Sequence, residues 1–569
     1  MNETIKPSVA LLSNSEYSVM VTDAGAGYST WRGLDVTRWR EDATRDCWGQ
    51  FCYVRDVTAD RIWSVGYQPL CGVADEYAFE VYADRAEFAR RDGDVETRWA
   101  VCVVPNADCE VRAMTLVNHG NRLRELELTS FAEVCLNHRR ADQAHPAFAK
   151  LFLETQFDVK SGALLVRRRP RGANENPVWA IHVSALSVPT NGAIEYETDR
   201  VSFLGRGRTS ASPAALDSGV RLSQTTGPVL DPVFSLRRRV RLEPKGSVRV
   251  AFVTGAAETR EAALKIAERF RDPEAIDRAF NGAKKRCQDE LRELSLTVDD
   301  VVMFNRLAAS VVFTNAQLRQ ADAVAANRLG QPGLWPHGIS GDLPIVLVHV
   351  KAAEDELLVR QLIQWRAYTR RRGMELDLVV LDQRAGEPSE QLRAALQSGI
   401  DSEILGKSGG IFVLSAEQIA ADHAVLLMAA ARAVLGGGRG SLAAQLDHCF
   451  AVTPPEPQSS ARSIATEAAA QPAKPSEGLS FWNGIGGFTR DGREYVMVID
   501  GAPPRWTGPA ARPLDQCAGQ PWIRMLGHRG GPGLQLGGQQ PAEPPHAMVE
   551  RSDIGLTRRG HLSAGRRNR

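Results

Sequence analysis

The sequence predicts a β-hairpin over residues 88–99, FARRDGDVETRW. Asp92-Gly93 is a turn dipeptide, and a strand-like run flanks it on each side. Further along, Leu126, Leu128 and Phe131 alternate roughly with charged or hydroxyl residues, as in a strand with one buried face. Both places therefore indicate antiparallel β structure.

A second pair of strands is predicted over residues 234–252, paired about the turn Glu243-Pro-Lys-Gly246. Strand-like runs are closely spaced from residue 1 to about 257, with few helical patterns between them. This density predicts one large antiparallel β-sandwich over residues 1–257. The expected fold class of the chain is mostly β, followed by α/β.

The hydrophobic period changes to that of helices at Thr259. This residue is a suitable N-cap for a helix whose apolar residues include Ala263, Ile266 and Phe270, and Asp272-Pro273 interrupts it. Further helices are predicted over about 274–296 and 302–328. Residues 258–329 are therefore expected to form a helical linker.

An α/β segment is predicted over residues 330–450. It begins with a loop rich in turn formers, GQPGLWPHGISGDLP (330–344), and continues into the apolar strand Ile345–Val350. A helix (about 353–372), a strand (376–381), another helix, a strand (411–414) and a helix (about 416–435) follow. Alternating strands and helices of this kind favour a parallel sheet.

Three further segments complete the expected organisation. Residues 451–478 are rich in Pro, Ala and Ser and predict a flexible linker, and residues 479–512 begin a second β-sandwich that stays incomplete. Residues 513–569 are interpreted as a disordered tail in a shifted reading frame. Back-translated with permitted codons and read one base later, residues 514–553 can encode GPGYS, a second copy of the motif GAGYS at 25–29.

The composition excludes several classes of protein. Hydrophobic residues make up 43% and charged residues 24% of the 569 residues, which is ordinary for a globular chain. The net charge of +1 gives no bulk electrostatic case for binding nucleic acid or a membrane surface. The sequence has no apolar run of transmembrane length, no signal peptide, and nine scattered cysteines. We therefore expect a cytoplasmic location and reduced thiols.

Several motifs are long enough to be specific. They are LSN (12–14), YSVMVT (17–22), GAGYS (25–29), WRED (39–42), YVRD (53–56), HPAF (145–148), GLW (333–335), GISGDLP (338–344) and FWNGIGGF (481–488). Together they resemble the phosphorylase-like C-terminal region of cyclic β-1,2-glucan synthetases, long called glycosyltransferase family 36. That region is related to the inverting cellobiose and chitobiose phosphorylases of glycoside hydrolase family 94.

The resemblance covers roughly residues 10–500 and implies a β-supersandwich, a helical linker and a connecting α/β segment. A second supersandwich and an (α/α)6 barrel follow in complete relatives, and the general-acid Asp and the phosphate site belong to that barrel. No catalytic residue is therefore carried over. The resemblance implies a truncated fragment that binds β-glucan, is inactive alone, and comes from a parent enzyme associated with the inner membrane. Two alternatives are a stand-alone carbohydrate-binding module and a small glycoside-cleaving enzyme.

A cluster of aromatic and charged residues has the composition of a carbohydrate-binding site. Flat aromatic faces can cover the C–H face of a pyranose, while Arg and Asp can bond its hydroxyls. The candidates are Trp31, Trp39, Arg40, Asp46, Trp48, Arg55 and Asp56, with Trp63 nearby in the sequence. The alternative, which we favour, is that the Trp residues fill the core and the charged residues pair with one another.

One catalytic candidate remains, Asp342, with His337 as its partner. An inverting phosphorylase needs one carboxyl of raised pKa beside the glycosidic oxygen, and a glycosidase needs a second carboxylate, which the sequence does not pair with Asp342. An Asp between Gly and Leu-Pro is more often a turn or helix-entry residue than a catalytic one. No cofactor and no metal are predicted, since the eleven His residues are dispersed. The expected partners are a β-glucan oligosaccharide or polysaccharide and the remainder of the synthetase.

Overall fold

The computed structural model describes residues 7–451, except 43, 173–174, 187–191, 273, 385–403 and 437. It also describes residues 478–500, except 483–485, and residues 523–528. Two compact units divide the chain, residues 1–453 and 454–569. The linker predicted at 451–478 and most of the predicted tail lie outside the described residues.

The β part of the first unit follows the predicted density of short strands. In chain order these are β1 Val9–Ser13, β2 Tyr17–Thr22, β3 Gly27–Trp31, β4 Leu34–Thr37, β5 Gln50–Asp56, β6 Arg61–Ser64, β7 Glu76–Val81, β8 Ala86–Asp92, β9 Val95–Val103, β10 Cys109–Asn118, β11 Arg124–Asn137, β12 Leu153–Asp158, β13 Ala163–Arg168, β14 Val178–Leu186, β15 Glu195–Asp199, β16 Pro232–Leu242 and β17 Ser247–Ala257.

These strands form two large antiparallel sheets. The first has the order β1-β2-β3-β4-β11-β16-β15, and β5 and β6 extend from β11 beside β4. The second has the order β12-β13-β14-β17-β10-β9-β8-β7. Their facing sides enclose a core that includes Val19, Val54, Trp99 and Phe252. The predicted hairpin at 88–99 is confirmed as β8 and β9, and Gly93 in its turn has a φ of +64°.

The predicted pairing across the turn at 243–246 is wrong. β16 bonds to β11 and β15 in the first sheet, whereas β17 bonds to β10 and β14 in the second. The turn therefore carries the chain from one sheet to the other. A turn sequence specifies a reversal of the chain, but partners distant in sequence decide which strands share hydrogen bonds.

Helices surround the two sheets and continue beyond them. They are α1 Arg139–Ala144, α2 Pro146–Lys150, α3 Arg200–Leu204, α4 Arg260–Arg269, α5 Glu274–Glu293, α6 Val298–Val312, α7 Ala321–Ala326, α8 Glu356–Arg370, α9 Ala421–Ala430 and α10 Leu442–Ala451, with short 3-10 turns at Ala214–Leu216, Ala316–Leu318, Gln331–His337, Ala353–Asp355 and Ala416–Gln418.

The predicted helix cap at Thr259 is confirmed. Thr259 caps α4, because its hydroxyl accepts a hydrogen bond from the Ala262 N–H at 3.1 Å. Helices α4 and α5 pack on the outer face of the second sheet through Ile266, Ala275 and Ala279. The single helix predicted over about 302–328 is instead α6 followed by the separate α7.

The α/β segment contains a parallel sheet of four strands, β18 Ile345–Val350, β19 Asp377–Asp382, β20 Ile411–Ser415 and β21 Ala433–Gly436. Their order is β20-β19-β18-β21. The first three strands were predicted. The fourth replaces the end of the helix expected over 416–435, since residues 433–436 pair with β18. One core joins α6, α8 and one face of this sheet to the outer face of the first large sheet.

The second unit is described over four short strands: β22 Leu479–Ser480, β23 Gly486–Thr489, β24 Tyr495–Asp500 and β25 Ile523–His528. β22, β23 and β24 pair antiparallel, and β25 pairs parallel with β24. The sandwich start predicted at 479–512 lies partly on these residues, and β25 lies in the predicted tail. Across both units, none of the described helices combines the length and the apolar character that crossing a bilayer requires.

Candidate functional site: a crevice beside the parallel sheet

A crevice of about 590 Å³ lies where the two-sheet part meets the amino-terminal edge of the parallel sheet. One wall comes from the β3–β4 hairpin, the residues after β4, and the start of α1. The other comes from the end of α6 and from the loops that precede β18, β19 and β20. The lining residues are Tyr28, Gly33, Asp35, Trp39, Glu41, His138, Arg139, Arg140, Gln143, Val311, Val312, Asp342, Leu343, Pro344, Met374, Glu375, Ser408 and Gly409.

Arg139 organises the aromatic side of the crevice. Its guanidinium lies 4.3 Å from the ring centre of Tyr28 and 5.1 Å from that of Trp39, and the two rings meet edge to face at 5.6 Å. Asp35 accepts two hydrogen bonds from Arg139, at 3.0 and 2.9 Å. Burial raises the pKa of Asp35, while the charge of Arg139 opposes that rise. The result is a rigid layer of two rings and one ion pair.

A network of buried ion pairs joins α1 to the residues that follow β4 and to β11. Asp142 is 1% exposed and pairs with Arg40 and with Arg38, whose Nε lies 3.5 Å away. Arg38 also pairs with Glu133 at 2.7 Å. Arg40, one of the predicted sugar-binding residues, thus forms an ion pair at the start of α1.

Asp342 lies at the opposite wall, and its side chain is half exposed. Its carboxylate accepts a hydrogen bond from Gln331 at 3.1 Å and lies 3.5 Å from Arg140. The predicted partner His337 bonds instead to the ring of His423 at 3.1 Å. Burial and the neighbouring His423 lower the pKa of His337. The structure therefore places Asp342 in the crevice with Arg140 rather than with His337.

The floor of the crevice is held by the amino ends of the parallel strands. Asp377, the first residue of β19, accepts a hydrogen bond from the Gly409 N–H at 2.7 Å, and its other oxygen is buried without a partner in the described part of the chain. Burial raises the pKa of Asp377. Arg366 of α8 binds the carbonyls of Gly409 and Met374. These contacts fix two of the loops that line the crevice.

The other predicted tryptophans lie away from the crevice. Trp31 and Trp63 are 4% and 5% exposed and belong to the core between the sheets. The Trp31 indole N–H donates to Asp108 at 2.7 Å. Trp48 is half-buried and packs against the core that joins α6 to the first sheet.

The remaining predicted residues are also dispersed. Asp46 accepts a hydrogen bond from the Thr22 hydroxyl at 2.5 Å, and burial raises its pKa to about 6. Arg55 pairs with Asp60 at 2.7 Å, and Asp56 pairs with Arg124 at 2.8 Å. Of the seven predicted sugar-binding residues, the crevice lining includes Trp39.

Residues 1–273 match the family model described as "Glycosyl hydrolase 94, supersandwich domain". The match covers both large sheets together with α4, so the two-sheet body is the supersandwich and α1, which lines the crevice, is part of it. The predicted fold class is confirmed.

Relatives of known activity extend the likeness further along the chain. The cyclic beta-(1,2)-glucan synthase NdvB of Rhizobium meliloti (strain 1021) is 33% identical over 530 residues, which are 91% of this chain and 18% of that protein. The N,N'-diacetylchitobiose phosphorylase of Vibrio proteolyticus is 23% identical over 49% of this chain and 34% of its own length. The solabiose phosphorylase of Paenibacillus borealis is 23% identical over 48% and 33%. The chain spans about a fifth to a third of these relatives.

The sequence alone does not predict most of the residues that line the crevice. Tyr28 lies within the motif GAGYS but has no partner that marks it as a site residue in the sequence, and Arg139, Arg140 and Glu375 lie outside all of the motifs. A usable signal was the run His138-Arg139-Arg140, which directly follows the longest strand, β11. Polar residues grouped at the end of a long buried strand are well placed for binding.

Proposed function

We propose that the crevice binds a β-1,2-glucan chain, and that this protein is the carbohydrate-binding part of a glucan-processing enzyme of the cyclic β-1,2-glucan synthase type. One observation carries the proposal. Tyr28, Trp39 and Asp342 belong to three separate motifs, GAGYS, WRED and GISGDLP, and all three residues line the same crevice. The identity to NdvB along most of the chain supports the choice of polymer.

The chemistry of the lining suits a neutral sugar chain. His138, Arg140, Asp342 and Glu375 are exposed and present both donors and acceptors, which match the hydroxyls of a glucose unit. Trp39 is 7% exposed and Tyr28 is 5% exposed, so only the edges of their rings are open to a ligand. The exposed polar residues therefore make the principal contacts in this proposal, and the rings shape the wall behind them.

Calorimetric titration of the full chain with a linear β-1,2-linked glucan oligosaccharide tests the proposal. Arg140→Gln and Glu375→Gln each remove a charged partner of a sugar hydroxyl, and each is expected to weaken binding by about 10-fold or more, because such hydrogen bonds contribute about 1.5–3 kcal/mol. Trp39→Ala is less suitable, since this residue is largely buried and the variant would also lose core packing.

Arg241→Gln is the matched control. Arg241 is exposed and lies opposite Glu125 near the first residue of β11, whereas Arg140 follows the last residue of that fourteen-residue strand. The two side chains are therefore separated by about 40 Å along the strand. Glucan binding at the crevice would be refuted if Arg241→Gln lost as much affinity as Arg140→Gln. It would also be refuted if the unmodified chain gave no heat of binding.

A second candidate function is cleavage of a glycosidic bond. Its support is that Glu375 lies in the same crevice as Asp342, since a glycosidase uses two carboxyl groups. It predicts release of glucose from a β-1,2-glucan, or of glucose 1-phosphate when phosphate is added, and loss of that release in Asp342→Asn. If the protein binds the glucan without cleaving it, the cleavage function is wrong and carbohydrate binding is the proposed function that remains. A cytoplasmic location and attachment to the rest of a synthetase remain predictions.

A further inference from the structure

The order of the parallel sheet creates a second location suited to a ligand. Strands β18, β19 and β20 follow one another to one side, and β21 then pairs with the other side of β18. The connection direction therefore reverses between β18 and β21. In open parallel sheets, ligands bind outside the carboxyl ends of the strands at such a reversal. This location is at the opposite edge of the sheet from the crevice described above.

A buried histidine, His349, marks this location. His349 on β18 is 7% exposed, and neither ring nitrogen has a hydrogen-bond partner in the part of the chain that the structure describes. The register places His349 opposite Gly436, the last residue of β21, so both face the same side of the sheet. Leaving a buried polar group unpaired is unfavourable, and a bound hydrogen-bond donor or acceptor would remove that cost.

Two cationic side chains, Arg439 and Lys351, lie beside this histidine. The Arg439 Nε lies 3.4 Å from the point that a Cβ on Gly436 would occupy, so the arginine covers the glycine that faces His349. Lys351 follows His349 by two residues. Burial lowers the pKa of His349, and the charges of Lys351 and Arg439 lower it further. Within the described ranges, neither cation forms an ion pair, and both are exposed.

The loop that carries Arg439 is anchored and ends at a helix N-terminus. The Gln445 amide donates to the carbonyls of Gly436 and Gly440 at 3.2 and 3.0 Å and accepts from the Gly436 N–H at 3.1 Å. Ser441 caps the ten-residue α10 by accepting from the Ala444 N–H at 3.2 Å. The first free N–H groups of α10 therefore lie at the same edge of the sheet as the two cations.

We propose that His349, Lys351, Arg439 and the N-terminus of α10 form a binding site for a phosphate group at the carboxyl edge of the parallel sheet. The two positive charges of Lys351 and Arg439 balance a dianion, and their ammonium and guanidinium groups donate hydrogen bonds to its oxygens. The neutral imidazole of His349 supplies one further hydrogen bond from the buried side. The ligand class is a free phosphate or a phosphate monoester. The site is independent of the sugar crevice.

Calorimetric titration of the full chain with inorganic phosphate, glucose 1-phosphate and ADP, in chloride buffer of constant ionic strength, tests this site. One equivalent of at least one of the three is expected to bind. Tightest binding of inorganic phosphate identifies the free ion, whereas tightest binding of glucose 1-phosphate or ADP identifies a sugar phosphate or a nucleotide. Absence of binding by all three at millimolar concentration overturns the proposal.

Arg439→Gln and Lys351→Gln both replace exposed residues, and each is expected to weaken the binding of the phosphate compound by about tenfold or more. Lys407→Gln is the control. It removes the same charge from an exposed residue before β20, at the amino edge of the same sheet, and is expected to leave binding unchanged. Equal weakening in all three variants indicates general charge attraction and overturns the site, as does binding that none of them alters.

Discussion

Replacing Asp46 by asparagine is expected to stabilise the supersandwich at neutral pH. Burial raises the pKa of Asp46 from 3.8 to about 6, against the hydrogen bond from Thr22 and with a contribution from the nearby Asp23. The asparagine side chain retains an oxygen that can accept the Thr22 hydroxyl, so the variant removes the charge and little else. In the unfolded chain Asp46 ionises near its ordinary value, so the ionised form is penalised only in the folded state.

The magnitude follows from these two pKa values. Between pH 3.8 and about 6 the folded state binds more protons than the unfolded state, so stability falls as the pH rises through this window. At about 1.4 kcal/mol per pH unit, the penalty reaches about 3 kcal/mol above pH 6. Asp46→Asn is therefore expected to gain up to that amount at pH 7 and nothing at pH 3.5.

Urea unfolding of both proteins at half-unit steps from pH 3.5 to 7.5 measures this difference. Asp42→Asn is the control, because Asp42 is partly exposed and the hydrogen bonds from Thr44 lower its pKa. Its removal is expected to change stability at pH 7 slightly and in the opposite direction. If the curves of Asp46→Asn and the unmodified chain run parallel, or if the variant is less stable at pH 7, the reasoning about Asp46 is wrong.

Three other predictions concern contacts away from the sites. Glu110→Gln is expected to lower the free energy of unfolding by about 3 kcal/mol, because this fully buried carboxylate pairs with Arg112. Glu274→Gln is the control, since it breaks an exposed pair with Arg278 and should cause no loss of stability that urea unfolding resolves. Thr259→Ala is expected to cost about 1 kcal/mol through the lost cap of α4, measured in the same way, and no change would contradict the capping role. Arg372→Met is expected to speed proteolysis within residues 298–370, since Arg372 ties α8 to β1 through the Leu11 carbonyl at 3.2 Å, and unchanged cleavage would count against it.

The sequence was sufficient where the deciding contacts are local. The turn at Asp92-Gly93, the cap at Thr259 and the apolar strand Ile345–Val350 each depend on residues within a few positions, and the structure confirms all three. Residues 433–436, Ala-Val-Leu-Gly, follow a helical pattern and have no local strand signal. Their pairing with β18, about 87 residues earlier, outweighs their helical propensity.

The crevice could not be assembled from sequence for a related reason. Its lining comes from segments between Tyr28 and Gly409, and the distance between them is set by how α6 and α8 pack on the first sheet. The predicted tryptophan cluster rests on the nearness of its members in sequence. Trp31 in β3 packs into the core between the two large sheets, whereas Trp39, two residues after the end of β4, packs into the core on the outer side of the first sheet, so sequence proximity did not predict spatial proximity.

The two walls of the crevice are held together by buried contacts to the first strand, β1. The side-chain oxygen of Asn305 in α6 accepts from the Leu11 N–H at 3.1 Å, and the Arg372 Nε donates to the carbonyl of the same residue. Arg372 is also bound by Glu290 of α5 at 2.8 Å. Opening the crevice would break these buried polar contacts at a cost of several kcal/mol. A ligand should therefore enter an already formed site, and changes in affinity among crevice variants should report contacts rather than closure.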